Sequence, residues 1–142
     1  MYRKILVALD TTASDQELLP HITRLALLLN SELLLLHVAD GWVARNFDQL
    51  QLAGSEEMQD DWRYLQETAA RLRAETGLTI DTQLALGSPP EQILKVADSS
   101  DCDLIALSSH GHRLVGDIIH GSTIKVVRHR ARVPILVVPQ KW

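Results

Sequence analysis

At 142 residues the chain has the length of one domain able to bury one proper core. Its 14 Lys and Arg stand against 18 Asp and Glu for a formal net charge of -4, so a phosphate backbone gains no general attraction to the surface and nucleic acid is excluded as a main partner. No apolar run approaches the roughly 20 residues of a membrane span, and the opening Met1-Tyr2-Arg3-Lys4-Ile5-Leu6-Val7 lacks the apolar core and cleavage site of a secretory leader. The expectation is a cytoplasmic protein without membrane insertion.

Ile5 to Leu9 is a short continuous apolar run, which suits a strand covered on both faces of a parallel sheet, and Asp10 ends it. Leu18, Leu19, Ile22, Leu25, Ala26 and Leu29 then recur at helical spacing, with Pro20 implying a start near Glu17 or an early kink. Leu33 to Val38 reads as a second buried strand, because it is brief and has polar breaks on each side. Residues 40 to 54 show no period and read as a long loop, in which Trp42 and Phe47 pack on the sheet edge or cover a ligand. From Ser55, the positions Met58, Trp62, Leu65, Ala69 and Leu72 form an apolar stripe of core residues on a helix stopped by Gly77.

Ile80, Thr82, Leu84 and Leu86 alternate with Asp81, Gln83 and Ala85, the period of an edge strand with one more exposed face. Ser88-Pro89-Pro90-Glu91 reads as a capping box, with Glu91 reaching back, ahead of a helix carrying Ile93, Leu94 and Ala97. Cys102 lies beside the next strand as a small buried side chain with no chemical role. Leu104 to Leu107 is a fourth strand, a helix spans about Ser122 to His129, and Pro134 to Val138 closes the chain as a strand whose flanking prolines suit an edge. The alternation of strands and helices implies an α/β fold, a parallel doubly wound sheet with right-handed crossovers.

Ligands in such sheets bind beyond the carboxyl ends of the strands, where the winding direction reverses. The stretch from Asp103 to Pro139 has the layout of a phosphate site: a strand opens into a polar, glycine-bearing loop, and Gly121-Ser122-Thr123 starts a helix whose free amides face an anion. If the first and fourth strands are neighbours, Asp10 and the 108–123 loop share one crevice.

Taken together the sequence resembles the universal stress proteins over essentially the whole chain. The matching segments are Ile5 to Asp10, Leu36-His37-Val38, Gly87-Ser88-Pro89, Asp103-Leu104-Ile105 with Ser109-His110-Gly111, Gly121-Ser122, Val126-Val127-Arg128 and Val133 to Val138. Nucleotide-binding members carry Gly, two residues, Gly, nine residues, Gly and then Ser or Thr. Here His112 to His120 supplies the nine residues between Gly111 and Gly121, and Ser108 replaces the first glycine. Ala8 and Thr11-Thr12 stand where many members have proline and Gly-Ser.

The resemblance implies a single Rossmann-like domain over residues 1–142, with strand order 3-2-1-4-5, that binds ATP with Mg2+ and acts as a nucleotide-responsive regulator in the stress response. The implied site comprises Ala8, Asp10, Thr11, Val38, Ser108, Gly111, His112, Arg113, Gly121, Ser122 and Thr123. Asp10 would meet the ribose or adenine side and the Val38 backbone the adenine edge; amides of 111–113 and 121–123 with the Ser122 hydroxyl would hold the phosphates, and Arg113 would add charge. The resemblance also implies a homodimer through Pro134 to Val138, where an edge strand invites a second copy, and an unknown regulatory protein partner. Alternatives are a nucleotide-free dimeric adaptor and a slow ATP hydrolase, for which no catalytic residue is assigned. A metal site at His110, His112 and His120 lacks cysteine or glutamate in the segment, and no Gly-x-x-x-x-Gly-Lys-Ser/Thr motif is present.

Overall fold

The computed structural model describes residues 1–39, 51–109 and 115–140 and, within these, the side chains outside 51–55 and 115–122. The elements in order are β1 (Lys4–Ala8), α1 (Asp15–Leu29), β2 (Glu32–Ala39), α2 (Gln51–Thr76), β3 (Ile80–Leu86), α3 (Pro89–Ser99), β4 (Leu104–Ser109), α4 (Val115–Arg130) and β5 (Ile135–Pro139). All strand pairs are parallel, and the sheet runs β3-β2-β1-β4-β5. Strand order, strand number and doubly wound class are therefore those expected. None of the described helices is long and apolar enough to cross a membrane.

The apolar runs are continuous because both sheet faces are covered. Alternate residues feed opposite cores: Ile5, Val7, Leu33, Leu35, Leu104 and Ala106 meet Leu18 and Ile22 of α1 and Leu65, Ala69 and Leu72 of α2. Leu6, Leu34, Leu36, Ile105 and Leu107 meet Ile93, Val96 and Ala97 of α3 and Val127 of α4. Each fully buried Leu or Ile contributes about 1.5–3 kcal/mol, so these strands are fixed by burial on two sides rather than by β propensity. Cys102 is buried in the second core, as expected. Its desolvation pushes the thiol up to about 11. At the opposite end of the sheet from the crevice, the amides of Arg3 and Lys4 donate to the Asp103 carboxylate at 2.9 and 3.1 Å, pinning β1 to β4.

Several boundaries differ from the sequence expectation. Helix α1 begins at Asp15 rather than near Glu17, because the carbonyls of Thr12, Ala13 and Ser14 already accept from the amides of residues 15 to 18. Pro20 therefore falls inside the helix, where it has no amide to donate to the carbonyl of Gln16, an exposed residue one turn earlier. Helix α2 begins at Gln51, so the loop expected through Gly54 ends earlier; residues 40–50, with Trp42 and Phe47, lie outside the described residues. The buried stripe of α2 runs through Leu65, Thr68, Ala69 and Leu72, with Asp61 and Tyr64 half-buried in line with it. Trp62 sits on the side of this stripe and is 46% exposed, not a core residue, while Met58 is half-buried.

Ser88 is the N-cap of α3 but makes no capping hydrogen bond. Pro89 and Pro90 occupy the next two positions and have no N–H to offer, which removes one of the two usual targets of a cap side chain. On β3 the expected alternation breaks at its end: Ala85 is buried in the second core and Leu86 is 39% exposed, since α3 covers the face that alternation alone assigns to solvent. Helix α4 starts at Val115, well before Ser122. The apolar positions Val115, Ile118 and Ile119 continue backward the helical period of Val126 and Val127, and a period read only from the glycines misses them.

Candidate functional site

The winding reverses between β1 and β4, and the carboxyl ends of β2, β1 and β4 open there onto a cavity of ≈ 320 Å³. Ala8, Leu9, Asp10 and Thr11 line it from the end of β1, Leu36, His37 and Val38 from β2, and Leu107 and Ser108 from β4. Glu57 and Asp61 close one side from α2, Pro89 and Ile93 from α3, and Thr123 and Ile124 from α4. Six residues expected from the sequence, Ala8, Asp10, Thr11, Val38, Ser108 and Thr123, thus share one cavity. Gly111, His112 and Arg113 lie outside the described residues, and of Gly121 and Ser122 only the backbone is described.

Gly121, Ser122 and Thr123 do not begin a helix. They lie beyond the first turn of α4, where amides bond to carbonyls of the preceding turn, so the expected cradle of free amides at 121–123 is not formed. What α4 brings to the cavity among its described side chains is Thr123, buried at 5% exposure, and Ile124.

The turn after β1 is built around two carboxylates. Asp10 accepts from the Thr12 amide at 3.0 Å and the Ser14 hydroxyl at 2.7 Å, an arrangement that folds the turn back on itself. Asp15, 1% exposed, accepts from the amides of Asp10 and Thr11 at 3.1 and 3.0 Å and from the Tyr64 hydroxyl at 2.7 Å. Burial, reinforced by the Asp10 charge, pushes Asp15 up to about 7 against the pull of these three donors. Burial and the bond to Asp15 raise Tyr64, which keeps its proton for donation. Thr11 has φ 62, in the left-handed region that favours glycine.

Strand β2 outruns β1. Their last pair is Ala8 with Leu36, and the Leu9 amide still donates to the Leu36 carbonyl at 2.8 Å. In a parallel ladder alternate residues face the same neighbour, so the Val38 amide and carbonyl also point to the β1 side, past the place where β1 has turned away. A flat heterocycle with one donor and one acceptor on its edge fits that position. His37, between them, holds the Leu9 carbonyl through Nδ1 at 2.8 Å and approaches Asp61 through Nε2 at 3.3 Å.

The charged side chains lining the cavity among the described residues are Asp10, Glu57 and Asp61, with His37 beside them and no Lys or Arg. No group of three or more His, Cys, Asp or Glu among the described residues is placed to hold a metal ion. Sequence reasoning missed Asp15, His37, Glu57, Asp61 and Tyr64. Two signals were available: His37 is the one polar residue inside the apolar run of β2, and Asp61 falls four residues before Leu65 on the buried side of α2.

Comparison with known proteins gives a consistent picture. The family model described as "Universal stress protein family" matches residues 1–139. Universal stress protein MJ0577 of Methanocaldococcus jannaschii is 28% identical over 157 residues, covering 99% of this chain and 97% of its own. A solved structure of hypothetical protein MJ0577 superposes with a TM-score of 0.76 at 27% identity, covering 100% of this chain and 99% of that one. A universal stress protein solved in complex with cAMP has a TM-score of 0.72 at 19% identity over 97% of each chain. One from Archaeoglobus fulgidus in complex with dAMP has a TM-score of 0.67 at 21% identity, covering 96% of this chain and 98% of that one.

Proposed function

Because the chain belongs to the universal stress protein family, we propose that its crevice binds an adenine nucleotide, ATP with Mg2+, and that the protein serves the stress response as a nucleotide-responsive regulator. The observation that carries this reading is the meeting, around one cavity at the winding reversal, of Asp10, the projecting Val38 backbone, Ser108 and Thr123. The cavity is at the lower end of the range of about 300–1,000 Å³ typical of small-molecule sites, enough for a nucleoside with its phosphates directed outward. Complexes of two related folds with cAMP and dAMP support the adenine assignment.

In this reading the adenine edge pairs with the Val38 backbone, Asp10 accepts from a ribose hydroxyl, and Ala8 and Thr11 shape the floor beneath the sugar. Ser108 keeps a hydroxyl toward the ligand where a glycine would offer only backbone. The phosphates lie toward Thr123 and Ser122 of α4, with Gly111, His112 and Arg113 assigned to them by sequence alone. Mg2+ is needed because the described lining supplies no cation. The protein acts in the cytoplasm as a homodimer through the β5 edge, where Val137 is 36% exposed, and its nucleotide state is read by a protein partner.

The test is to denature freshly purified protein and chromatograph what it releases, then to titrate Mg-ATP into wild type and Ala8→Leu. Ala8 lies on the cavity wall, so the larger side chain fills ligand space without altering charge. Adenine nucleotide in the released fraction, with binding lost in Ala8→Leu, is the expected result. No released nucleotide and no binding heat in wild type would overturn the reading.

A further inference from the structure

His37 has both ring nitrogens engaged, one 2.8 Å from the Leu9 carbonyl oxygen and the other 3.3 Å from Oδ2 of Asp61. A carbonyl oxygen only accepts, so Nδ1 carries a proton in this arrangement. A carboxylate also only accepts, so the second contact is a hydrogen bond only when one further proton is present, on Nε2 or on Asp61. With that proton the ring ties together two walls of the cavity, the end of β1 leading into Asp10 and the α2 segment bearing Glu57 and Asp61. Without it, a nitrogen lone pair faces a carboxylate oxygen where the two side chains are only 12% and 17% exposed.

We propose that one proton shared by His37 and Asp61 sets the affinity of the crevice for its nucleotide, latching α2 against the end of β1 when present and leaving an added negative charge when lost. The proposal rests on the adenine-nucleotide reading above and deepens it. Both consequences of deprotonation act in the same direction: the wall loosens, and an anionic ligand meets one more uncompensated charge. Among the described residues, the surroundings contain nothing to replace the proton. Asp10 lines the same cavity from the turn after β1, Glu57 and Asp60 share the helix of Asp61, and β3 offers Leu84 in register with His37. The cation near Asp60, Arg63, is engaged with it at 3.2 Å on the exposed side of α2. Burial raises Asp61, and the imidazole partly offsets this, so its carboxyl takes up a proton more readily than an exposed aspartate does. An anion entering the crevice therefore draws a proton onto the pair, and binding and protonation reinforce each other.

Asparagine at position 61 separates this from a merely structural contact. Its amide N–H donates to Nε2 while Nδ1 still donates to Leu9, so the latch closes without the second proton. Mg-ATP affinity is measured by calorimetry from about pH 5.5 to about 8.5, the range in which histidines titrate, for wild type, Asp61→Asn and His37→Gln. The phosphates of ATP titrate alike in all three experiments and cancel from ratios of affinity. Above the titration of the pair, wild-type affinity relative to Asp61→Asn falls with a limiting slope of about tenfold per pH unit, as one linked proton requires. His37→Gln shows the same flattening and carries the test alone if Asp61→Asn fails to fold. Binding whose ratio to either variant is independent of pH overturns the proton link and leaves the nucleotide reading standing. Absence of binding at every pH overturns both. In ligand-free protein, imidazole 15N shifts report a protonated Nε2 persisting to higher pH in wild type than in Asp61→Asn; identical titrations count against the link.

Discussion

Replacing Asp15 by asparagine isolates the electrostatic cost of the turn that presents Asp10. Asp15 is 1% exposed, beside another carboxylate, and its carboxyl is raised from 3.8 to about 7. Between those two pH values the folded protein holds a proton at this position that the unfolded chain has released. Stability from this group is thus complete below about pH 4 and drains away as pH rises toward 7, the opposite of a salt-bridged carboxylate. A raise of roughly 3 units at about 1.36 kcal/mol each amounts to about 4 kcal/mol. The asparagine side chain does not titrate. It loses one acceptor among the bonds to Asp10, Thr11 and Tyr64, a pH-independent cost of about 1–3 kcal/mol. Urea unfolding of both proteins from about pH 4 to about 8 reads the difference directly. Asp15→Asn begins as the less stable protein and improves against wild type by about 4 kcal/mol over that range. A difference that stays flat would mean that the three donors hold Asp15 ionised throughout, and would refute the account of the turn.

Three further outcomes follow from the same geometry. Thr11→Gly relieves a left-handed backbone that costs a β-branched residue about 1–2 kcal/mol, against about 0.5–1 kcal/mol of glycine entropy and a lost hydroxyl bond of about 0.5–1.5 kcal/mol; the unfolding free energy from urea titration is expected to stay within about 0.5 kcal/mol of wild type, and a loss above about 1 kcal/mol contradicts it. Leu65→Ala, at a fully buried position, costs about 2–5 kcal/mol, whereas Trp62→Ala three residues earlier costs under about 1 kcal/mol, and equal costs would show the α2 face to be misassigned. Val137→Lys sets a charge on the exposed face of β5 and weakens the self-association proposed for that edge, so light scattering gives a lower mass than for wild type; an unchanged mass removes β5 from the proposed dimer.

The sheet was legible because Ile5 to Leu9, Leu33 to Val38 and Leu104 to Leu107 are apolar at consecutive positions and too short for a buried helix, which favours strands covered on two sides. Strand order came from the family resemblance, and the resulting neighbours put Asp10 and Ser108 at one crevice. What failed to show was set by geometry between elements. Trp62 and Asp61 are adjacent in sequence, and a stripe counted in steps of three and four admits either; the pitch of α2 against β2 decides for Asp61. Asp15 fell in the polar stretch after the first strand and drew no reading of its own, since its bonds to Asp10 and Thr11 exist only once the turn has closed. Gly121 was read as a helix start because glycines punctuate, although the helical period already ran through Val115.

The charge of the cavity also orients the ligand that is proposed for it. Asp10, Glu57 and Asp61 stand on the side formed by β1 and α2, while the side formed by β4 and α4 presents Ser108, Thr123 and Ile124. At an effective dielectric near 20, a phosphate charge about 5 Å from a carboxylate is repelled by about 3 kcal/mol, so a nucleotide inserted phosphates-first toward α2 meets a barrier of several such terms. With the base toward His37 and Val38, the acidic side meets hydroxyl and amine donors, and the phosphates leave along α4, where no described carboxylate lines the cavity. Magnesium then acts at the far end from Asp61. Omitting it should weaken ATP binding by at least tenfold while leaving adenosine binding unchanged, and an equal effect on both ligands would place the cation, and with it the phosphates, on the wrong side of the crevice.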